Sequence, residues 1–372
     1  MTKLIHTADI HLGVKLSGLG KAGDKVRAAA KQSLSDMITA AVDEKVDAFL
    51  IAGDLFESNS VSYSLMKFAL SEIERLGDIP CLILPGTHDC LEPGSIYLTL
   101  EDSDRPDNLY IFDDPDNPVI EIEKLNVKFY GAPNVSARSR SNPIKAVRPD
   151  DSDLKHVLLA HGSYMIPGKT QDDDHPFSLD DIDNSGFDYI ALGHWHSYFE
   201  LPTKNTKAAY CGAPETIAFD QTGAGHYAIV TLDDNVTLEK RKVGRTSWNE
   251  IELSAENFRY TIEIERELQK YIGVNNIIRA KLTGLASAEN IVSIDEIIKN
   301  NAEKFLHLSI VDATETVPGN LREMKIPPTT ILGQFIAQMS DAIESNEDPD
   351  EKELLNESLR TGFAMLSGKD VL

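Results

Sequence analysis

Five times before residue 200 the chain runs through a short apolar stretch and stops on Asp, His or Gly. KLIHTA leads into Asp9-Ile10-His11, AFLIA into Gly53-Asp54, and PCLILPG into Gly86-Thr87-His88-Asp89. HVLLAHG contains Ala160-His161-Gly162, and FDYIALGH leads into Gly193-His194-Trp195-His196. Apolar runs of this length bounded by Gly read as buried strands. Layered α/β folds carry their working groups on the loops that leave strand ends. An Asp-x-His or His-x-His pair at such an end presents both side chains on one side. The pattern therefore predicts strands that all deliver metal-ligand side chains to one edge.

Between these strands the stretches 24–44 and 61–76 have helical spacing, so the chain starts as strand, helix, strand, helix, strand. Further strands are expected at 109–112, 118–122, 127–132, 208–212, 226–232 and 236–243, several alternating apolar and polar residues. Two stacked sheets with helices outside, a layered α-β-β-α sandwich, accommodate this over residues 1–245. The texture then changes. A charged helix at 256–271 and strand-like runs at 277–284 and 305–313 suit a small α/β domain over 250–315. The stretch 314–328 holds three prolines and reads as a linker. A helix pair is expected over 329–367, with Ile331, Phe335, Met339 and Ile343 on one face and Leu355, Leu359 and Leu366 on the other helix.

The formal charge of −24 points away from a protein that grips polyanions through surplus Lys and Arg. If such a chain acts on nucleic acid, its positive charge must come from metal ions, a local patch or a partner. The opening residues are too polar for a signal peptide or anchor, and no apolar run reaches the roughly 18–20 residues of a membrane span. Cys81, Cys90 and Cys211 form no CxxC pair, and reduced thiols in a cytoplasm are the simplest reading.

Taken singly, each motif reads as a turn, a helix cap or a hydrogen-bonded structural histidine. Taken as an ordered set at strand ends, they read as a metal site. Imidazole and carboxylate together suit Mn, Fe, Zn or Co, with Mg as a further candidate. A pair of such ions about 3.5–4 Å apart can supply a nucleophile at neutral pH and relieve negative charge on a substrate.

The order and wording of the motifs resemble the calcineurin-like metallophosphoesterases, whose pattern is D-x-H, G-D, G-N-H-(D/E), H and G-H-x-H. The resemblance covers about residues 1–245. It implies one ion held by Asp9, His11, Asp54 and His196, and another by Asp54, His161 and His194, with Asp54 bridging. It implies that His88 stands over the scissile phosphate as acid or charge stabiliser, oriented by Asp89. The family's Asn ligand is Thr87 here, in GTHD, which implies a weaker second site or a water in its place.

Within that family the phrases LIHTADIHLG, LIAGDLFESN, LPGTHD, FYGAPNVS and FDYIALGHWHSY resemble the SbcD-like nuclease branch of DNA double-strand-break repair. That branch implies a Mn-dependent DNA exo/endonuclease, a homodimer working with an SbcC-like coiled-coil ATPase. Residues 250–315 would be its DNA-capping domain, and 329–367 its ATPase-docking helices, unless these merely pack on their own core. Arg138, Arg140, Lys145 and Arg148 are candidate DNA contacts, although a solvated loop is the commoner meaning of such a run. Two alternatives stay open: a phosphodiesterase or phosphatase for nucleotides or other small phosphoesters, and a weakly active protein that binds DNA ends. Trp195 is expected to pack beside the site, and His6, His156, His175, His226 and His307 to be structural or surface residues.

Overall fold

The computed structural model describes residues 1–287 and 292–369, divided into two compact units, Met1–Thr246 and Ser247–Leu372. In the first unit Thr2–Thr7 (β1), Ala48–Ala52 (β2), Cys81–Leu84 (β3) and Leu109–Ile111 (β4) pair in parallel. Lys21–Asp43 (α1) and Tyr63–Glu74 (α2) make the crossovers, and the short Ile96–Thr99 (α3) precedes β4. The chain then builds a second sheet from Val119–Ile122 (β5), Val127–Ala132 (β6), Lys155–His161 (β7), Tyr189–Gly193 (β8), Phe199–Glu200 (β9) and Lys207–Tyr210 (β10), with Leu179–Asp183 (α4) between β7 and β8. His226–Leu232 (β11) and Val236–Lys242 (β12) return to the first sheet, β11 lying antiparallel to β1. The two orders are β12-β11-β1-β2-β3-β4 and β5-β6-β7-β8-β10-β9.

Side chains alternate across each strand, so the apolar runs feed two cores at once. Ile5, Phe49 and Ile51 face α1 and α2, where Leu34, Met37, Ile38 and Ile73 cover them. Their neighbours Leu4, Leu50 and Leu82 face the other way and meet Phe129, Leu159 and Tyr189 between the sheets. On the far side of the second sheet, Tyr130, Leu158 and Ile190 pack on Ile144, Phe177 and Ile182. Each fully buried Leu or Ile contributes about 1.5–3 kcal/mol of transfer free energy, which is why strands β2, β3 and β8 carry no charged residue. The expected α-β-β-α sandwich is thus observed. Its outer layer over the second sheet is thin, since α4 has only five residues and loops complete the cover.

In the second unit Ser247–Ser254 (β13), Gly273–Thr283 (β14) and Phe305–Asp312 (with Leu285–Ser287 as β15, this strand is β16) form a parallel sheet in the order β13-β14-β16. Thr261–Leu268 (α5) and Ile294–Asn301 (α6) share a core with it through Ile264, Leu268, Ile278, Leu282 and Ile297. Glu315–Val317 (β17) pairs with β15, and Ile331–Ser345 (α7) and Pro349–Leu366 (α8) bury Ile336, Ile343, Leu359 and Phe363 against Leu285, Val317 and Leu321. The sequence expectations differ here in five places. They omit β13 and α6, draw the charged helix longer than α5, and leave β17 inside the linker. The face of α7 also differs, with Ile331 77% exposed and Ile336 buried beside Ile343. Residues four apart advance about 40° round a helix each time, so Ile331 ends roughly 120° from Ile343, whereas Ile336 lies within about 20° of it.

Candidate metal centre

The loops after β1 and β2 are zipped together by parallel backbone hydrogen bonds. Asp9 N donates to Gly53 O (3.1 Å), His11 N to Asp54 O (3.0 Å) and Leu12 N to Leu55 O (2.9 Å). This zipper aligns Asp9 and His11 with Asp54. Four candidate ligands sit at positive φ: Asp9 (54°), His11 (48°), Asp54 (52°) and His194 (104°). Non-glycine residues rarely adopt such angles, and strain of this kind concentrates at functional sites. Glycine is required where the loops close on the ligands. A Cβ on Gly53 would lie 2.0 Å from His161 Nδ1, and one on Gly86 2.2 Å from Asp54 Oδ1.

Among the described residues, two groups from the sequence motifs bring donor atoms within 4.8 Å of one another: Asp9, His11 and His196, and Asp9, Asp54 and His161. In the first, His11 Nε2 faces His196 Nε2 at 3.1 Å. Two ring nitrogens at that distance need a proton or a cation between them. In the second, His161 Nε2 is 3.2 Å from Asp54 Oδ2, and that same oxygen is 3.8 Å from His11 Nε2. Asp9 stands in both groups, and the Asp54 carboxylate of the second also comes within reach of His11 in the first. Thr87 is buried in the second group, its hydroxyl donating to Asp54 Oδ2 (3.2 Å) and lying 3.4 Å from His161 Nε2. The donor set, all nitrogen and oxygen and almost all buried, fits divalent ions.

His194 reaches the site differently. Its backbone N–H donates to both oxygens of Asp9 (2.9 and 3.1 Å), and its ring packs edge-on against His161 at 5.1 Å. His88 is exposed at the rim, with Nδ1 3.0 Å from the Glu57 carbonyl and its backbone N–H on Asp54 Oδ1 (2.8 Å). Asp89 does not contact that ring. Its carboxylate accepts from Gly86 N (2.7 Å), Phe56 N (3.0 Å) and the Tyr97 hydroxyl (2.6 Å). The structure thus orients His88 through the Glu57 carbonyl and uses Asp89 to tie down the GTHD loop.

The electrostatics favour cations. Burial alone would depress the His161 imidazolium, but Asp54 and Asp9 outweigh it and carry the group up to about 9. His11 is raised in the same way, against burial, by Glu57, Asp54 and Asp9. Burial wins at His196, which falls to about 4. Asp54 stays well below the usual carboxylate range despite its burial because His161 and His11 face it.

Three side chains that the motifs did not reveal hold the histidines from behind. Glu57 Oε2 lies 3.0 Å from His11 Nδ1, Asp174 Oδ2 lies 3.0 Å from His194 Nε2, and the Gln221 amide sits against His196 Nδ1. The hydrogen bond from His194 keeps the Asp174 carboxyl down at about 2. Glu57 also forms a third close group with His11 and His88. The basic run reaches the flank of the site, since Ser139 bridges to Asp174 and the Arg138 guanidinium acts on that carboxylate. Arg138 bonds Gln171 and Asp173, Lys145 pairs with Asp181 at 2.7 Å, Arg148 donates to the carbonyls of Asn184 and Ser185, and Arg140 is exposed. Trp195 stacks on Tyr210 at 5.0 Å. His6 bonds Tyr189, His156 bonds Tyr130, and His175 and His226 bond backbone carbonyls, while His307 packs in the second unit with burial depressing its ring.

A layered sandwich that gathers Asp and His side chains from four strand ends into adjoining groups, with Thr87 and His88 from a fifth beside them, defines a metal-dependent phosphoester hydrolase. The family model for calcineurin-like phosphoesterases matches residues 2–198, more than half of the chain, and the chain belongs to that family, whose members use divalent metals. It is similar to an uncharacterized metallophosphoesterase, YhaO, of Bacillus subtilis, at 29% identity over 255 residues, covering 66% of this chain and 61% of YhaO. It is also similar to the SbcD component of the SbcCD nuclease of Staphylococcus epidermidis, at 24% identity over 380 residues, covering 91% of this chain and 94% of that one. The DNA double-strand break repair protein Mre11 of Saccharolobus solfataricus matches at 25% identity over 264 residues, covering 65% of this chain and 66% of that one. The match thus spans less than two thirds of YhaO and of Mre11. Among the described residues no helix is long and apolar enough to cross a membrane.

Proposed function

We propose that the chain is a Mn-dependent DNA exo/endonuclease that works as a homodimer with an SbcC-like coiled-coil ATPase in the cytoplasm. The similarity to a component of an SbcCD nuclease over nearly the full length of both chains supports this branch. The observation that carries the chemistry is the shared Asp54 carboxylate, 3.2 Å from His161 and 3.8 Å from His11. Asp9, His11, Asp54 and His196 would hold one ion, and Asp54, His161, His194 and Thr87 the other. When bound, the pair would supply a nucleophile at neutral pH and neutralise charge on the phosphoryl oxygens. It would also let a chain of charge −24 accept a polyanion.

The protein groups do the rest. With Nδ1 donating to the Glu57 carbonyl, His88 keeps Nε2 free at the rim. From there it would stabilise charge on the scissile phosphate or protonate the leaving oxygen. Asp89 would support it indirectly by fixing the loop on which His88 rides. Residues 250–315 would cap DNA, and 329–367 would dock the ATPase.

The test is cleavage of linear duplex and single-stranded DNA in Mn, with Mg and chelator controls, by wild type, His88→Ala and Thr87→Asn. The reading expects Mn-dependent cleavage, loss of it in His88→Ala with metal content retained, and a gain in Thr87→Asn, whose amide oxygen is a better donor than a hydroxyl. Hydrolysis of small phosphodiesters without any DNA cleavage would instead identify a small-substrate phosphodiesterase.

A further inference from the structure

We propose that Asp174 is a positioning residue for the second metal: its carboxylate accepts a hydrogen bond from His194 Nε2–H and so leaves Nδ1 for the ion. The inference rests on the two-ion reading above and adds a residue outside all five motifs.

Asp174 lies on the loop that follows β7, 20 residues before His194, and its carboxylate is 27% exposed. It is fixed from several sides. The Ser163 hydroxyl donates to Asp174 Oδ2 at 2.5 Å, and Ser163 N donates to the Asp174 carbonyl at 3.2 Å. Trp195 Nε1 in turn donates to the Ser163 hydroxyl at 3.3 Å. Ser163 follows His161 by two residues, and Trp195 adjoins His194. The carboxylate is therefore built into the surroundings of two proposed ligands of the same ion. Among the described residues neither Asp174 nor His194 belongs to a close donor group, and the Asp174 carboxylate occupies the Nε2 side of the His194 ring, which leaves Nδ1 as the ring's remaining donor atom.

Neutral imidazole carries one proton on two nitrogens, and a ligand must offer the bare one. With Nε2–H committed to Asp174 at 3.0 Å, the lone pair sits on Nδ1. The same contact fixes the ring's rotation and raises its basicity, and removing such a partner typically weakens metal binding about 10–100-fold. The opposite arrangement has the opposite sign. If His194 bound metal through Nε2, Asp174 would compete with the ion, and its removal would strengthen binding.

The experiment titrates the full chain with Mn by calorimetry and measures metal content after dialysis, for wild type, Asp174→Ala, Asp174→Asn and Ser163→Ala. Asp174→Ala should weaken one of two ions by about 10–100-fold and leave the other unchanged. Asp174→Asn, which keeps an acceptor, should fall between it and wild type. Ser163→Ala loosens the same loop without removing the carboxylate, so an equal loss of metal in that variant would reduce Asp174 to a loop anchor and overturn the proposal. Unchanged or tighter binding in Asp174→Ala would also overturn it. Histidine-labelled, metal-free protein gives a readout independent of the ions. Its long-range proton–nitrogen spectrum should show His194 as the Nε2–H tautomer in wild type and as a mixture in Asp174→Ala. A wild type that takes up fewer than two ions would refute the two-ion reading, while the tautomer spectrum would still decide the role of Asp174.

Discussion

Replacing Asp89 by Asn separates two roles for the last residue of GTHD. The carboxylate accepts three buried hydrogen bonds, from Gly86 N on Oδ1 and from Phe56 N and the Tyr97 hydroxyl on Oδ2. An amide offers one oxygen and one NH2. If its oxygen takes the Oδ1 position, the NH2 confronts Phe56 N–H, while the Tyr97 hydroxyl can rotate and accept. If its oxygen takes the Oδ2 position, the NH2 confronts Gly86 N–H. Either way one buried N–H is orphaned, at a cost of about 1–3 kcal/mol. A central value of about 2 kcal/mol corresponds to a fall in Tm of about 4–8 °C for a unit of this size. Because Asp89 ties residue 86 to residue 56, the loop carrying Thr87 and His88 should loosen as well, so cleavage and stability should decline together. The assay pairs a thermal melt with Mn-dependent phosphodiester hydrolysis, and Tyr97→Phe serves as a milder perturbation of the same knot. An Asn variant that melts within about 1 °C of wild type yet has lost turnover would refute this reasoning and return Asp89 to the role of orienting His88.

Glu57→Ala should weaken the ion held by His11 about 10–100-fold in a Mn titration, with the other ion unaffected, because the carboxylate behind His11 is lost. The His88 ring should keep its place in that variant, since its partner is the backbone carbonyl of residue 57. His6 is fully buried, and burial depresses its pKa to about 3. The unfolded chain gains a proton below about pH 6.5 that the native state refuses, so this stability is complete above that pH and is lost as pH falls towards 3. The loss reaches about 2 kcal/mol at about pH 5. Urea unfolding of His6→Asn should therefore be less sensitive to pH between about 7 and 5 than wild type by that amount, and equal slopes would show that His6 titrates normally. Gly53→Ala should cost at least about 3 kcal/mol and abolish metal uptake, because φ is +97° and the new Cβ would meet His161 Nδ1 at 2.0 Å. Circular dichroism and metal analysis together check it.

The candidate ligands were legible because each is local. A strand of period two that ends on Gly, followed by Asp-x-His or His-x-His, fixes both its place and its direction within a few residues. The partners behind the histidines were not legible for the opposite reason. Glu57 reaches His11 across 46 residues and Gln221 reaches His196 across 25, and each looks like an ordinary polar loop residue in its own neighbourhood. The partners of Asp89 are not legible from its place beside His88, because its carboxylate turns to Gly86, Phe56 and Tyr97. The sandwich itself followed from the buried runs. The second unit was harder to read: β13 (SWNEIELS) spreads its apolar residues among charged ones, and only its pairing with β14 makes it a strand. The pair β15–β17 is too short to leave a signature of its own.

The two sheets touch at the site almost without side chains between them. A Cβ on Gly193, at the end of β8, would stand 1.9 Å from the Ala52 carbonyl, at the end of β2, and that carbonyl is also 3.0 Å from His161 Nδ1. The spacing of the metal ligands is therefore set by the gap between two backbones, as the jaws of a calliper are set by its beam. Asp9 and Asp54 ride on one jaw, and His161, His194 and His196 on the other. Ions gripped by both would act as rivets, so loading the site should lock the sheets together at this end and slow amide exchange at the ends of β2 and β8, far beyond the residues that touch metal.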